Sequence, residues 1–290
     1  MSTLYSRYSL DFGESQRGQD KEPDVNTSSV IKKYGDKVTI RTRPTITVKN
    51  YKKGQDLDQE VPQSEPVVLN IDQAKYYDFV VDDVDEAQAD IVLSSEFTDD
   101  ASEQMRITVD SDVLASVYAD AHAKNKGNSA GIISSGFALG TTGTPVVVTA
   151  QNAIEVLTVV GAVFDEQNVP EEGRNIVLPA WFRYLIMNSD LKNASITGDG
   201  SSIVRNGRVG MVDRLTLFMS NLLTSVTDGA YKPTHCIACQ KDALTYAAQL
   251  VKNENLRAPR KFGWEYRGLW VYGFETVKTE GMIDLYARKG

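Results

Sequence analysis

Cysteine and histidine are scarce in this 290-residue chain, at two residues each. Cys236 and Cys239 cannot build the disulfide framework of a small secreted domain. With only His122 and His235 to add, no second cysteine pair completes a four-ligand zinc site. Long apolar runs are missing too. The longest, Val156 to Phe164, has nine residues interrupted by Thr158 and Gly161, against about 20 for a membrane-spanning helix. Residues 1 to 20 are polar and lack the apolar centre of a secretory signal. The expectation is a protein made in the cytoplasm with no membrane role. Excess positive charge is absent as well: 31 Lys and Arg face 39 Asp and Glu, a net charge of -8. Such a surface repels phosphate unless a local basic patch overcomes it. Lys252, Arg257, Arg260 and Lys261 come nearest, but Glu254 and Pro259 lie among them, and the group reads as a solvated loop.

What is present is ordinary globular composition, 41% hydrophobic and 24% charged, with enough chain for one large domain or two interlocked ones. Residues 1–36 are polar and aperiodic and read as an arm, which alone buries too little apolar surface to offset its ordering entropy. From Lys37 the sequence alternates, with Val38, Ile40 and Thr42 on one side, then Ile46 and Val48 after Pro44. A polar loop over 49–65 follows, and extended runs return at Val67 to Leu69 and Phe79 to Val81. Together they read as a long hairpin over 37–82, whose charged strands and Pro44 suit a ribbon standing off the core. Nine acids between Asp82 and Glu103, uninterrupted by Lys or Arg, must face water or a cationic partner. Ile107, Val113, Leu114, Val117, Tyr118 and Ala121 then predict a helix, with Asp110 to Asp112 as its capping or first-turn acids. A Gly-rich loop spans 124–144. A buried helix opens at Thr149, a short strand holds Ile176 to Leu178, and a helix begins at Pro179. Strands are expected over 209–223 and 234–239, then a helix carrying Ala243, Leu244, Ala247 and Leu250, and strands to the end.

Little of this carries chemistry. Cys236-Ile-Ala-Cys239 has redox spacing, but on a buried strand the pair reads as small apolar residues. A following helix would lower a cysteine pKa, so a thiol oxidoreductase stands as a rival reading. Gly136 to Pro145 lacks the Lys-Ser/Thr ending of a phosphate loop, Ser134-Ser135-Gly136 is no nucleophile elbow, and paired acids such as Asp82 and Asp83 on a mobile joint read as solvated or as an interface. The expectation is no catalytic residue, no metal and no cofactor.

The order of these parts resembles the Hong Kong 97 fold of tailed-phage major capsid proteins, over nearly the whole chain. Gly35 to Arg41 looks like the start of the extended hairpin in the podophage-type coat proteins. Leu69 to Ala89 looks like the return strand and the joint into the spine helix. Asn206 to Asp213 with Leu217 to Asn221 resembles the central domain, and Tyr266 to Gly273 a strand pair near the C-terminus. The resemblance implies an α+β fold divided into an arm (1–36), an extended β-hairpin loop (37–82), a spine helix with peripheral domain (83–148), and an axial domain with the remaining peripheral strands (149–290). It implies a shell subunit assembling with itself into hexamers and pentamers, with a separate scaffolding protein, a portal and a possible decoration protein. The shell would enclose double-stranded DNA without sequence-specific binding, and the chain would reside in the virion. A nanocompartment shell of the same fold is the nearer rival. The candidate intersubunit contacts are Arg41, Arg43, Lys49, Lys52 and Lys53 on the hairpin against Asp82, Asp83, Asp85, Glu86 and Asp90 on the acidic joint.

Overall fold

A computed structural model describes residues 37–41, 46–54, 56, 59–61, 66–89, 92–189 and 210–290. The arm, Arg43, Asp90 and the loop over 197–202 lie outside them. Among the described residues the structure is mixed α and β, with three sheets.

Lys37–Arg41 (β1) pairs antiparallel with Pro66–Asn70 (β2), Val38 opposite Leu69 and Ile40 opposite Val67. The expected hairpin is therefore present, but its return strand stops at Asn70. Gln73–Asp82 (β3), expected as a continuation, instead pairs with the C-terminal part of the chain. It lies at one edge of a three-stranded antiparallel sheet ordered β3-β10-β9, where β9 is Leu244–Arg257 and β10 is Gly263–Thr276. Alternation alone gives a strand but not its partner.

Asp82 caps a short helix, Asp83–Gln88 (α1), its carboxylate accepting from the Val84 amide at 2.9 Å. The first-turn acids Asp83, Asp85 and Glu86 suit the positive helix end. Leu93–Ser116 (α2) follows, beginning about five turns ahead of the acids expected to cap it. Asp112 is not a cap because it has other partners: Tyr272 donates its hydroxyl at 2.6 Å and Lys75 pairs at 2.7 Å, both from the three-stranded sheet. Buried residues of α2 are confined to its second half, at Met105, Val109, Asp110 and Leu114. The acidic first half remains largely in water.

The larger sheet has six strands in the order β4-β11-β8-β5-β7-β6: Val146–Val148 (β4), Arg174–Leu178 (β5), Met211–Val212 (β6), Leu215–Met219 (β7), Thr234–Gln240 (β8) and Met282–Lys289 (β11). Two helices, Ala153–Glu166 (α3) and Ala180–Met187 (α4), cover one face. Their Leu157, Val160, Phe164, Phe182 and Ile186 pack with Ile176, Leu178, Ala238 and Leu285. The other face takes the end of α2 and the 3-10 turn Val117–Asp120, with Leu114 and Val117 against Val177, Ile237 and Met282. Apolar layers on both sides explain why all five residues of β5 are buried. Thr149 is not the start of α3; its amide and hydroxyl both donate to Asn152 Oδ1, and the helix begins at Ala153.

The helix expected after Cys239 is a correction. Residues 244–257 form a 14-residue strand. Leu244 and Ala247 have helical spacing, yet Leu244 packs under the six-stranded sheet and Ala247 under the hairpin base. Pairing along the whole of β10, with a register shift at Val271 and Tyr272, overrides the local period.

Candidate assembly surfaces

The hairpin is anchored at its base and exposed beyond it. Val38, Leu69 and Ile71 cluster with Ala247, and Ile40 and Val271 pack alongside. Past Arg41 the picture reverses: Ile46, Val48, Tyr51 and Val61 are 67%, 96%, 66% and 81% exposed. A loop that shows four large apolar side chains to water does not stabilise its own subunit with them. The Thr47 amide donates to Glu60 at 3.3 Å, bridging the two sides of the loop. Lys49, Lys52 and Lys53 are exposed around these residues. The lysines were legible as candidates. The apolar members were not, because Ile46 and Val48 alternate as if on a strand, whereas residues 46–50 form none.

The acidic joint is largely occupied within its own chain. Asp82 caps α1, and Asp83 receives both terminal nitrogens of Arg257, Nη1 at 2.9 Å. Ser94 Oγ donates to Glu86 at 3.1 Å. Asp85 is exposed. Arg257, expected in a solvated loop, ends β9, and its guanidinium also lies 5.5 Å from the Trp264 ring centroid. The Asp83 amide donates to the Phe262 carbonyl, so α1 is fastened to the β9–β10 turn. Arg41 ends β1, its backbone paired with Pro66. No two of the candidate cations and acids meet in an ion pair among the described residues.

The two faces of the three-stranded sheet differ. On one, Tyr77 sits where a Cβ at Gly268 would be, and its hydroxyl donates to Asn253 at 3.4 Å. Phe79 stacks on Tyr266 there and meets Phe97 of α2 edge-on. This face of the sheet rests on α2. The opposite face carries Tyr76, Asp78, Lys252, Glu254 and Arg267 around a cleft floored by Gly268 and Leu269. Arg267 bonds Glu265 and lies 3.6 Å from Asp78.

The cysteine pair has no shared chemistry. Residues three apart on a strand point to opposite faces, and Cys236 packs with α3 and α4 while Cys239 packs under α2. Both are buried and neither is in a disulfide, and burial with the nearby Asp284 carboxylate pushes the Cys236 thiol far above its ordinary range. His235 stacks on Tyr118, ring centroids 4.0 Å apart, and Nδ1 lies 2.9 Å from Asp284. His122 Nδ1 accepts from the Lys124 amide. Among the described residues no cluster of His, Cys, Asp and Glu could hold a metal ion, and no helix is long and apolar enough to cross a membrane.

Solved structures match this architecture along nearly its full length. A protein of Mycobacterium phage Che8 aligns with 92% of this chain and 97% of its own, at a TM-score of 0.67 and 22% identity. The capsid structure of cyanophage P-SCSP1u covers 89% of this chain and 85% of that one, at 0.67 and 19%. The mature capsid of bacteriophage PhiM1 covers 93% and 91%, at 0.63 and 15%. The chain has the Hong Kong 97 capsid fold. No protein-family model matches it, nor does any curated protein sequence.

Proposed function

We propose that this chain is the major capsid subunit of a tailed phage, tiling with copies of itself into a closed icosahedral shell around double-stranded DNA. The observation that carries the reading is the near end-to-end agreement of fold with phage capsid chains. The six-stranded sheet with α3 and α4 serves as the axial body, and the three-stranded sheet with α2 as the peripheral part. The hairpin lies over an adjacent copy. Lys49, Lys52 and Lys53, with Arg41 and Arg43, meet acids of that copy, and Asp85 and Asp90 of the joint are candidates beside Asp82, Asp83 and Glu86. Contacts repeated around closed rings sum through multivalency even where each is weak. The net charge of -8 suits a container whose wall must release its DNA. A scaffolding protein, a portal and a decoration protein are the expected partners, and the role is structural rather than enzymatic.

Electron microscopy of the chain produced with its scaffolding protein tests this. Closed shells of uniform size are expected. A monomer that persists with scaffolding protein present would overturn the proposal.

A further inference from the structure

We propose that the turn between β6 and β7 is a charge-operated catch: the ion pairs of Arg214 hold a strained turn closed and keep β6 on the outer edge of β7, and their loss frees that edge. The strain lies in the backbone. Val212 pairs with Leu215, so Asp213 and Arg214 alone make the turn, and both have positive φ, 46° and 63°. A two-residue hairpin turn with positive φ at both positions usually takes Asn-Gly or Asp-Gly. Aspartate tolerates the left-handed region, but arginine has a Cβ and rarely enters it. A turn disfavoured by its own residues persists only where the surroundings fix it. Two contacts do so here. On one side, the Asp213 carboxylate takes the place where a Cβ at Gly161 would stand, which explains a glycine inside α3, where it otherwise weakens a helix. On the other, the Arg214 guanidinium reaches out: Nη2 lies 3.0 Å from Asp165 of α3, and Nη1 lies 2.5 Å from Glu171 of the turn before β5. Arg174, which also holds Asp165, and Asp213, 3.9 Å from Arg214, complete the charges on these elements, with Lys241 packed on Gly173 beside them.

What the catch controls follows from the strand it holds. β6 has two residues, Met211 is exposed, and only Val212 packs on the larger core. The Leu217 amide donates to the Gly210 carbonyl at 3.1 Å, so the same segment covers the outer backbone of β7. Released, residues 215–217 present unpaired groups on which a strand of another chain can pair. The ion pairs of Arg214 are part-exposed, so salt and protons reach them. Burial raises the Asp165 carboxyl, but Arg174 and Arg214 outweigh it and hold the group below its ordinary value. The catch is therefore closed above the ordinary carboxylate range and opens as pH falls through the lowered value. It operates within a single subunit and does not depend on the shell reading.

Hydrogen exchange of the Leu217 amide in the full-length unassembled chain tests this, with the amides of β5 as internal reference. Arg214→Met keeps the strain and removes the pairs, whereas Arg214→Gly removes both. Near neutral pH, protection of Leu217 is expected to fall at least about tenfold in Arg214→Met and no more than about threefold in Arg214→Gly, each relative to wild type. In wild type, lowering the pH to about 3.5 or raising salt to about 0.5 M should each reduce Leu217 protection while β5 stays protected, and Arg214→Met should respond to neither. Equal protection in Arg214→Met and wild type overturns the inference, because the pairs then hold nothing. Equal losses in the Met and Gly variants overturn it too, because the turn is then unstrained. A loss that spreads equally to β5 is global unfolding and counts against a catch. The wild-type chain needs no variant to fold: Leu217 protection that ignores both acid and salt also overturns the inference.

Discussion

Around the six-stranded sheet, apolar side chains fill both faces: α3 and α4 close one side, and the end of α2 closes the other. Among the described residues, the three-stranded sheet has α2 on one face and nothing over the other, and the hairpin it supports carries exposed Val48 and Val61. The first region is closed by its own chain. Among the described residues, the second leaves one sheet face and the hairpin loop exposed. Two sheets of one chain thus divide the work, one specifying the fold and the other offering surface, and substitutions should separate the two.

The sharpest separation should come from Phe164→Ala. Phe164 is fully buried in the larger core and lies under the Arg174 guanidinium, 5.3 Å from ring centroid to carbon. Its truncation should cost about 3–5 kcal/mol, from lost transfer energy and the cavity left behind. Tyr76→Ala in the other sheet should stay within about 0.5 kcal/mol, since the side chain is exposed. Urea unfolding of unassembled subunit measures both. Equal losses would break the comparison.

Arg174 tests the same body from its polar side. Only 1% of its side chain is exposed, its Nε and Nη2 donate to the carbonyls of Pro170 and Val169, and Nη1 lies 2.7 Å from Asp165. Arg174→Met should cost about 2–3 kcal/mol, chiefly from buried carbonyls left without donors. The Asp165 pairing contributes less than a buried ion pair would, because Asp165 is largely in water. A melt within experimental error of wild type would mean that the turn over 169–173 relaxes freely.

How much of this was legible beforehand differs between the two regions. In the larger body, α3 and β5 were readable because their side chains are apolar on nearly all sides, so local pattern and final environment agree. In the smaller region local pattern misled: residues 244–250 look helical and form a strand, and residues 73–82 look like a hairpin continuation but pair with residues nearly two hundred positions later. Both outcomes are set by non-local pairing, which no window of sequence contains. The candidate cations were found through charge. Tyr76 and its cleft escaped notice because alternation along a strand assigns a side chain to one face without saying whether that face is covered.

A smaller effect should appear on acidification, and again it belongs to the larger body. Burial pushes the Asp165 carboxyl up, but the hydrogen bond and charge of Arg174, with those of Arg214, outweigh it and hold the group below its ordinary value. Burial likewise raises Glu166, and the amides of Ser134 and Ile133 outweigh it. Groups depressed in the folded state add stability that is full above the ordinary carboxylate range and is lost as pH falls through the depressed values. Replacing both, Asp165→Asn with Glu166→Gln, should flatten the fall in melting temperature below about pH 5, with little change in slope near neutrality. A profile that falls as steeply in this double variant as in wild type would mean that general charge repulsion, not these two anchors, sets acid sensitivity.

Within the larger body a small effect is expected at the cysteines, and its smallness is informative. Cys236→Ala and Cys239→Ala each remove one buried sulfur from opposite faces of β8, at about 1 kcal/mol apiece. Being on opposite faces and in separate clusters, the two losses should add in the double variant. A redox or metal pair would behave otherwise, since removing either partner would abolish what the two do together. Thermal melts of both single variants and the double variant, with shell yield scored in parallel, read the difference: additive small losses with full assembly fit two packing residues, whereas a double variant no worse than either single would expose a coupling that the strand geometry does not provide.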